Sequence, residues 1–448
     1  MLQQITAKKE WKGDQVMWLI IGLLIMFGLL AVYSATGSMA YRYYRGNTEM
    51  YLLKQLVMAG LGLICMYICH RQNYLIYNKL APILFLLAIP LLVYTLFFGV
   101  ETNDAKRWIT LPVINLSFQT SDYARLALII YLARSLSNKQ DYIKDFKSAF
   151  VPIMVPVLIV CGLIAPSNLS TAVLLFLTSV MLMFVGRVSF RYITMMGLFG
   201  LLLFGLVVLI YYIDPDFVRV ATWKSRINDF LHSDGGYQVV QSKIAIANGS
   251  WSGVGPGNSS QRNFLPAAYA DYIYAIICEE YGLFGAVGIV ILFLWLLFRV
   301  SRIVMKSPKA FGAMLAMGLI LNLVVQAFAN MAVSVNLVPV TGLTIPLVSM
   351  GGTSVLFTSI AFGMIMSVSK YIEGMNEEQT ETTPSSGTKS KSTTTGTSGE
   401  NLNSNTASVT DQSNINPILK TNIPNTITIP NPKPDSLTLI TDEDESDH

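Results

Sequence analysis

Charge is scarce in this chain. Asp, Glu, Lys and Arg together make up 13% of its residues while 52% are apolar, whereas soluble domains are roughly one quarter charged. That shortage excludes a soluble enzyme with a lone anchor, because several apolar runs reach the length of about 20 residues that crosses a bilayer. Histidine and cysteine are scarce as well, at 3 and 4 residues. His70, His232 and His448 are too scattered for a metal site. Cys65, Cys69, Cys161 and Cys278 all lie in apolar stretches. Cys65 and Cys69 are one helical turn apart, but no His/Cys set accompanies them, so they read as small packing residues. Aromatic residues are absent from 375–448, which is rich in Thr, Ser, Asn and Pro and ends in EDESDH. Such a segment buries too little apolar surface to offset its ordering entropy, and a disordered tail over 373–448 is expected. No cleavable leader is expected either. The basic start (Lys8, Lys9, Lys12) precedes a run over 16–32 that is long enough to span and has no convincing cleavage site.

What is present is a series of about ten apolar runs, at 16–36, 51–69, 78–98, 119–134, 149–165, 168–186, 190–213, 271–299, 310–336 and 346–370. They predict an all-α polytopic membrane protein: a short N-terminus (1–15), a membrane domain (16–372) and the tail. The fourth run, SDYARLALIIYLARSL, carries Asp122, Arg125 and Arg134, and reads as a short or tilted span or an interfacial helix. Basic residues are unevenly shared between the two sets of loops. One set holds Lys8, Lys9, Lys12, Arg71, Lys79, Arg134, Lys139, Lys144, Lys147, Arg187, Arg191, Arg299, Arg302, Lys306 and Lys309; the other holds Arg42, Arg45, Lys106 and Arg107. The richer set faces the cytoplasm. Both termini are then cytoplasmic, and 99–118 and the long connection 214–270 face outward.

Three acids mark the eighth run. Asp271 stands at its outer edge, where it can reach water and headgroups, and an apolar wall would raise its pKa, as suits a general base for a hydroxyl. The competing reading is an Asp at a helix N-terminus, favoured by the dipole. Glu279 and Glu280 lie about two turns deeper. At about 100° per residue they point about 80° and 180° away from Asp271, so they are expected to face different ways and to support the site rather than react. Buried charges of this kind need partners.

Four stretches stand out from the apolar background: KRWITLPVINLSFQTSDYARLALIIYLAR (106–134), APSNLSTAVLLF (165–176), GVGPGNSSQRNFLPAAYADYIYAIICEEYG (253–282) and NLVPVTGLTIPLVSMGGTS (336–354). Arg107 beside Trp108 fits pyrophosphate binding at the membrane surface, or an aromatic-belt anchor. The glycines around Gly255 permit positive φ, and their amides either cradle a phosphate or form a plain surface turn. Gln241, Ser242, Lys243 and Gln261 flank that turn and either bind a polar headgroup or face solvent. Asp122 is placed to pair with Arg125, about one turn away. Pro339, Gly342 and Pro346 break the helix ahead of the last span, and Ser349 with its neighbouring glycines allows close helix packing or lines a lipid-accessible cavity.

In type, order and spacing these stretches resemble the SEDS family (FtsW, RodA and SpoVE) of bacterial cell-wall synthesis, over about 14–372. The loop GVGPGNSSQ is more similar to the division branch, FtsW, than to the elongation branch, RodA. The chain departs from the family's usual pattern at Arg125, where Lys is usual, at Asn168 and Ser170, where Asp and Gly are frequent, and at Ala270, where the residue before the key acid usually carries a hydroxyl. Asn168 is thereby left with hydrogen bonding rather than charge, and it stays with Arg125 among the candidate substrate-binding residues that the resemblance implies.

The resemblance implies a peptidoglycan glycosyltransferase. Its donor is a growing glycan on undecaprenyl pyrophosphate, and its acceptor is the GlcNAc 4-hydroxyl of lipid II. Asp271 falls on the acid implicated in catalysis. Cationic help for the leaving pyrophosphate would come from Arg107, Lys243 or Arg262, or from a divalent cation such as magnesium or manganese; no metal ligand is assigned. The implied partners are a class B penicillin-binding transpeptidase, divisome proteins and membrane lipids, with no nucleic acid. The resemblance also leaves open a lipid II flippase, an elongation polymerase and a non-catalytic divisome scaffold.

Overall fold

The computed structural model describes residues 13–37, 48–102, 105–111, 116–213, 226, 228–231 and 236–381. Ten helices among them lie at the ten expected positions: α1 (Gln15–Ala35), α2 (Glu49–Arg71), α3 (Leu75–Phe98), α4 (Thr120–Asn138), α5 (Val151–Ile164), α6 (Leu169–Val185), α7 (Phe190–Ile213), α9 (Ile273–Lys306), α10 (Ala310–Ser334) and α11 (Thr353–Glu381). A shorter helix, α8 (Gly236–Gly249), precedes α9. Seven helical segments are long and apolar enough to cross a membrane, and α6 and the first part of α7 are shorter apolar helices. The chain is a polytopic helical membrane protein.

The remaining helix, α4, is the charged fourth run, and it is not interfacial. Thirteen of its 19 residues are buried, Asp122 and Arg125 included. It packs against α3, α5 and α10, so its charges face protein and need no contact with lipid or water.

Two departures follow from local chemistry. The connection after α3, expected as a loop, folds into an antiparallel sheet of β1 (Val100–Thr102), β2 (Ala105–Leu111) and β3 (Leu116–Gln119). Pairs Trp108↔Gln119, Ile109↔Phe118, Thr110↔Ser117 and Leu111↔Leu116 set the register, and β3 runs straight into α4. The Phe118 ring packs 5.5 Å from Phe357 of α11 and 6.4 Å from Tyr123 of α4, centre to centre, which anchors the sheet to the bundle. At the other end, α11 continues to Glu381, nine residues past the expected limit at 372. The tail beyond it lies outside the described residues.

The N-terminal end of α1 meets the C-terminal ends of α9 and α11. Asp14 caps α1 by accepting from the Val16 and Met17 amides at 3.0 and 3.3 Å, and it also pairs with Arg299. The amide of Asp14 donates to Ser369 Oγ at 3.1 Å, and the Gly13 amide donates to Glu373. The start of the first span and the end of the last therefore share one end of the bundle, as an even number of crossings requires. Elsewhere, α11 lies along α2. A β-carbon on Gly363 would come within 2.5 Å of the Met66 carbonyl oxygen, a small-residue approach of the kind that lets membrane helices pack closely.

Candidate active site

α9 is not one helix. At Gly282 the backbone takes φ 63°, ψ −157°, and the segment 249–262 locks onto the break. The Val254 amide donates to the Glu279 carbonyl at 2.9 Å, the Gly255 amide to the Glu280 carbonyl at 3.0 Å, and the Leu283 amide to the Ser250 carbonyl at 3.1 Å. The glycines make this approach possible: a β-carbon on Gly253 would sit 2.1 Å from the Glu280 carbonyl oxygen, and one on Gly282 2.4 Å from that of Trp251. The amides of Val254 and Gly255 thus complete the broken helix. Of the two readings of this turn, the Gly255 N–H is not open to a phosphate, because it already donates to Glu280 O.

The two glutamates take part in the same lock. Glu279 and Glu280 are each 1% exposed. Glu279 accepts from the Ser259 hydroxyl, from Ser260 Oγ at 3.0 Å, from the Gln261 amide at 3.2 Å and from Asn248 Nδ2 at 3.4 Å. Glu280 accepts from the Ser34 hydroxyl of α1 and from the Ser259 amide at 3.4 Å. Both carboxylates therefore converge on Ser259. The expected divergence counts one regular helix from Asp271; α9 begins only at Ile273, and the segment folded across it brings Ser259 within reach of both carboxylates. Arg262 belongs to this group as well, donating to Ser34 O at 3.3 Å and Ser34 Oγ at 3.2 Å. Gln261 is buried, with Oε1 unpartnered among the described residues. Gln261, Arg262, Glu279 and Glu280 thus tie the segment to α1 and α9.

This clamp predicts a contrast between two glycines. G257A adds only positive-φ strain, about 1–2 kcal/mol, because Gly257 has φ 81° and no atom within 4 Å of its would-be β-carbon. G253A must also push the loop off α9, and is expected to lose clearly more. Thermal unfolding of the purified variants in detergent measures both; equal losses would contradict the interlock.

Asp271 lies apart from the clamp, in a turn just ahead of α9. Tyr272 is the N-cap, and no side chain caps the helix, so Asp271 does not serve α9 as a capping residue. Its carboxylate is half-buried and makes no hydrogen bond among the described residues. Burial pushes its pKa above the ordinary carboxylate value, and the nearby charges of Arg226 and Arg107 oppose that push. The backbone around it is tied on three sides. The Asp271 amide donates to Ala267 O at 3.2 Å and the Met350 amide to Tyr269 O at 3.0 Å, while Asn330 Nδ2 donates to Asp271 O at 2.7 Å. A β-carbon on Gly342 would lie 3.8 Å from Asp271 Oδ2, so the carboxylate faces the broken segment ahead of α11.

Arg107 joins two of the sequence motifs to this site. Its Nε donates to Ser167 O at 2.8 Å, next to Asn168, whose Oδ1 caps α6 by accepting from the Thr171 amide at 3.2 Å. Asn168 is buried, and its role here is that cap. Trp108 is Arg107's neighbour in β2, where the register with β1 shifts between the Val100↔Trp108 and Glu101↔Lys106 pairs and leaves Arg107 as the bulged residue. Arg226 is the cation that sequence reading passed over. It donates through Nη1 to Val340 O at 3.0 Å, so its charge sits beside both Asp271 and the 340–342 turn.

Other expected contacts are committed to the protein's own framework. Ser242 is fully buried and donates to Ser334 O at 2.8 Å; its neighbours Gln241 and Lys243 are half-exposed on the flanks of α8. Arg125 is buried, bonded to Asp122 at 2.7 Å and Gln326 at 2.6 Å, so the expected pairing with Asp122 is present and leaves Arg125 inside the bundle. Ser349 is buried and its Oγ accepts from the Ile345 amide at 2.9 Å, which steadies the segment broken by Pro346. Among the described residues no group of three His, Cys, Asp or Glu side chains is arranged to hold a metal ion, so no residues are assigned to a divalent cation and no step is routed through one. A cavity of about 290 Å³ lined by Asp14, Arg299, Arg302, Lys306 and Glu373, among others, belongs to the opposite end of α9 from Asp271.

Residues 14–374 match the FtsW/RodA/SpoVE family, described as "Cell cycle protein". A "Probable peptidoglycan glycosyltransferase FtsW" of Geobacter sulfurreducens is 34% identical over 374 residues, covering 83% of this chain and 98% of that protein. "Stage V sporulation protein E" of Bacillus subtilis is 33% identical over 375 residues, covering 82% and 99%. Two solved structures share the fold. One, described as "Structural coordination of polymerization and crosslinking by a peptidoglycan synthase complex", has a TM-score of 0.65 at 23% identity over 80% of this chain and 98% of that one. The other, Thermus thermophilus rod shape determining protein RodA, has a TM-score of 0.58 at 23% identity over 80% and 97%.

Proposed function

The chain belongs to the FtsW/RodA/SpoVE family, and from that premise we propose that it is a peptidoglycan glycosyltransferase that polymerises lipid II at the outer face of the cytoplasmic membrane, with Asp271 as general base. The observation that carries this reading is the state of Asp271. It is a half-buried carboxylate without a hydrogen-bond partner among the described residues, held against Gly342 with Arg226 and Arg107 nearby. A desolvated carboxylate with no structural partner is costly, and perturbed groups of this kind cluster at functional sites.

In the proposed step, Asp271 takes the proton from the 4-hydroxyl of the acceptor GlcNAc as that oxygen attacks the donor's anomeric carbon. The bond from that carbon to the pyrophosphate oxygen breaks, and the leaving group departs with the electron pair. Arg107 and Arg226 stabilise the pyrophosphate's charge. The excess of Lys and Arg in the opposite set of loops supports an outward-facing Asp271. The proposed role is in division, at the septum, with a class B penicillin-binding transpeptidase and divisome proteins as partners; the family description "Cell cycle protein" and the solved relative of a synthase complex that couples polymerization to crosslinking support it.

Purified protein in vesicles with labelled lipid II tests the reading. Glycan ladders are expected; headgroup translocation without ladders would make the protein a flippase instead. The pH dependence carries its own sign. A general base must be ionised, so rate falls as pH drops through the Asp271 pKa. Since burial raises that pKa, the acid limb of a pH–rate profile is expected above the ordinary carboxylate range, about 3.9 for Asp. A limb at or below that range would contradict a desolvated base.

A further inference from the structure

One face of α10 carries a ladder of buried polar groups at i, i+4 and i+8: Gln326, Asn330 and Ser334, at 5%, 1% and 0% exposure. Residues four apart on a helix lie one above the other, so the three form a stripe. Each rung holds backbone that belongs to no helix, or joins a neighbouring helix. Gln326 Nε2 donates to Thr344 O at 2.8 Å while its Oε1 accepts from Arg125. Asn330 Nδ2 donates to both Asp271 O and Leu343 O. Ser334 Oγ donates to Asn330 O at 3.2 Å, and its carbonyl accepts from Ser242 of α8. Non-helical backbone inside a membrane protein persists only where protein partners satisfy it, and this stripe supplies partners for the 343–344 turn.

Asn330 differs from the other two rungs. It is the one whose single nitrogen bridges the two halves of the candidate site, the turn bearing Asp271 and the segment bearing Gly342. With Nδ2 facing both carbonyls, Oδ1 must point away, and it is buried without a partner among the described residues. An orphaned buried acceptor is unfavourable, so the orientation is held by the two donated bonds.

We propose that Asn330 is the positioning residue for Asp271: by tying the Asp271 and Leu343 carbonyls together it holds the carboxylate against the Gly342 turn, where the acceptor hydroxyl must arrive. The inference rests on Asp271 being the base. Asn330 touches neither substrate nor reacting atoms; it acts through the backbone of the residue that does.

The test uses the purified full chain in vesicles, with lipid II polymerisation followed across pH for wild type, D271N, N330L and G342A. N330L is near-isosteric, adds no charge and removes the bridge. Misplacing a reacting group by about 1 Å costs up to about 100-fold in rate, so kcat for N330L is expected to fall by about 10- to 100-fold, with KM for lipid II changed by less than about threefold, the pattern of a lost transition-state interaction. Its acid limb is expected at lower pH than in wild type, because a released Asp271 reaches water. A purely structural role would lower the yield of folded protein and leave that limb in place. Should N330L fail to fold, G342A gives the second reading. It forces an alanine to φ 66° on the other side of the same contact, and should show the same split between kcat and KM and the same shift. Wild-type kcat and an unmoved acid limb in the folded variants, with D271N inactive, would overturn the role of Asn330 alone. Wild-type activity in D271N would overturn the assignment of Asp271, and the role of Asn330 with it.

Discussion

Replacing Asp122 with alanine is expected to destabilise the folded protein by about 3–5 kcal/mol, the cost of leaving a buried charge without its partner. Arg125 Nη2 sits 2.7 Å from Asp122 Oδ1, with the two side chains only 10% and 3% exposed. Asp122 also accepts from the Ser354 hydroxyl of α11, and Arg125 donates to Gln326 of α10. One ion pair thereby joins α4, α10 and α11 and continues through Gln326 to the Thr344 carbonyl. In D122A the guanidinium would keep Gln326 but lose its charge partner in a region with no water to replace it. The double variant D122L/R125L removes both charges and should recover most of the loss, because a buried pair replaced by apolar groups of similar volume is often neutral. Thermal unfolding in detergent of D122L, R125L and D122L/R125L closes the cycle, with D122A measured beside them. A D122A protein as stable as wild type would mean that the network carries no weight.

Replacing Asp271 with asparagine is expected to lower the rate of lipid II polymerisation by about 10²–10⁴-fold, the usual contribution of a positioned general base. Asparagine keeps the shape of the side chain and the backbone ties to Asn330 and Ala267, so substrate binding should persist. Stability is expected to move the other way. The native carboxyl has a pKa above its unfolded value, chiefly through burial. Native protein therefore binds more protons than unfolded chain between those two values, and stability falls as pH rises through that window. Above the window the ionised Asp271 opposes folding, so D271N should melt at the same temperature as wild type or higher at neutral pH. Inactivity together with undiminished stability would separate a catalytic role from a structural one.

The spans were legible in the sequence because length and apolarity are local properties. All ten helices overlap the expected runs, the last starting at Thr353 rather than 346 because the segment with Pro346 and its neighbouring glycines is non-helical, and even the charged fourth run forms a helix. What could not be read there was its surroundings: Asp122 and Arg125 are tolerable because α10 and α11 bring Gln326 and Ser354 to them from 201 and 232 residues away. The β-sheet is not legible in the sequence although Arg107, Trp108, Ile109 and Thr110 sit in a stretch singled out as a motif, because three short strands give a weak signal beside long apolar runs. Asp271 was visible as an acid at the edge of a span. Its partners were not, since Arg226 and Asn330 reach it only through the fold. Glu279 and Glu280 converge where divergence is expected, because Ser259, in the segment folded across that part of α9, reaches both carboxylates. The glycines of 253–257 admit either a phosphate cradle or a plain turn from sequence; their tight approach to α9 is visible only in the fold.

The central claim is that Asp271 removes the acceptor's proton. It is tested most directly by the initial rate of glycan-strand formation from lipid II by purified, correctly folded D271N beside wild type. A fall of about 10²–10⁴-fold with lipid II binding retained is the predicted result. Strand formation at the wild-type rate would contradict it.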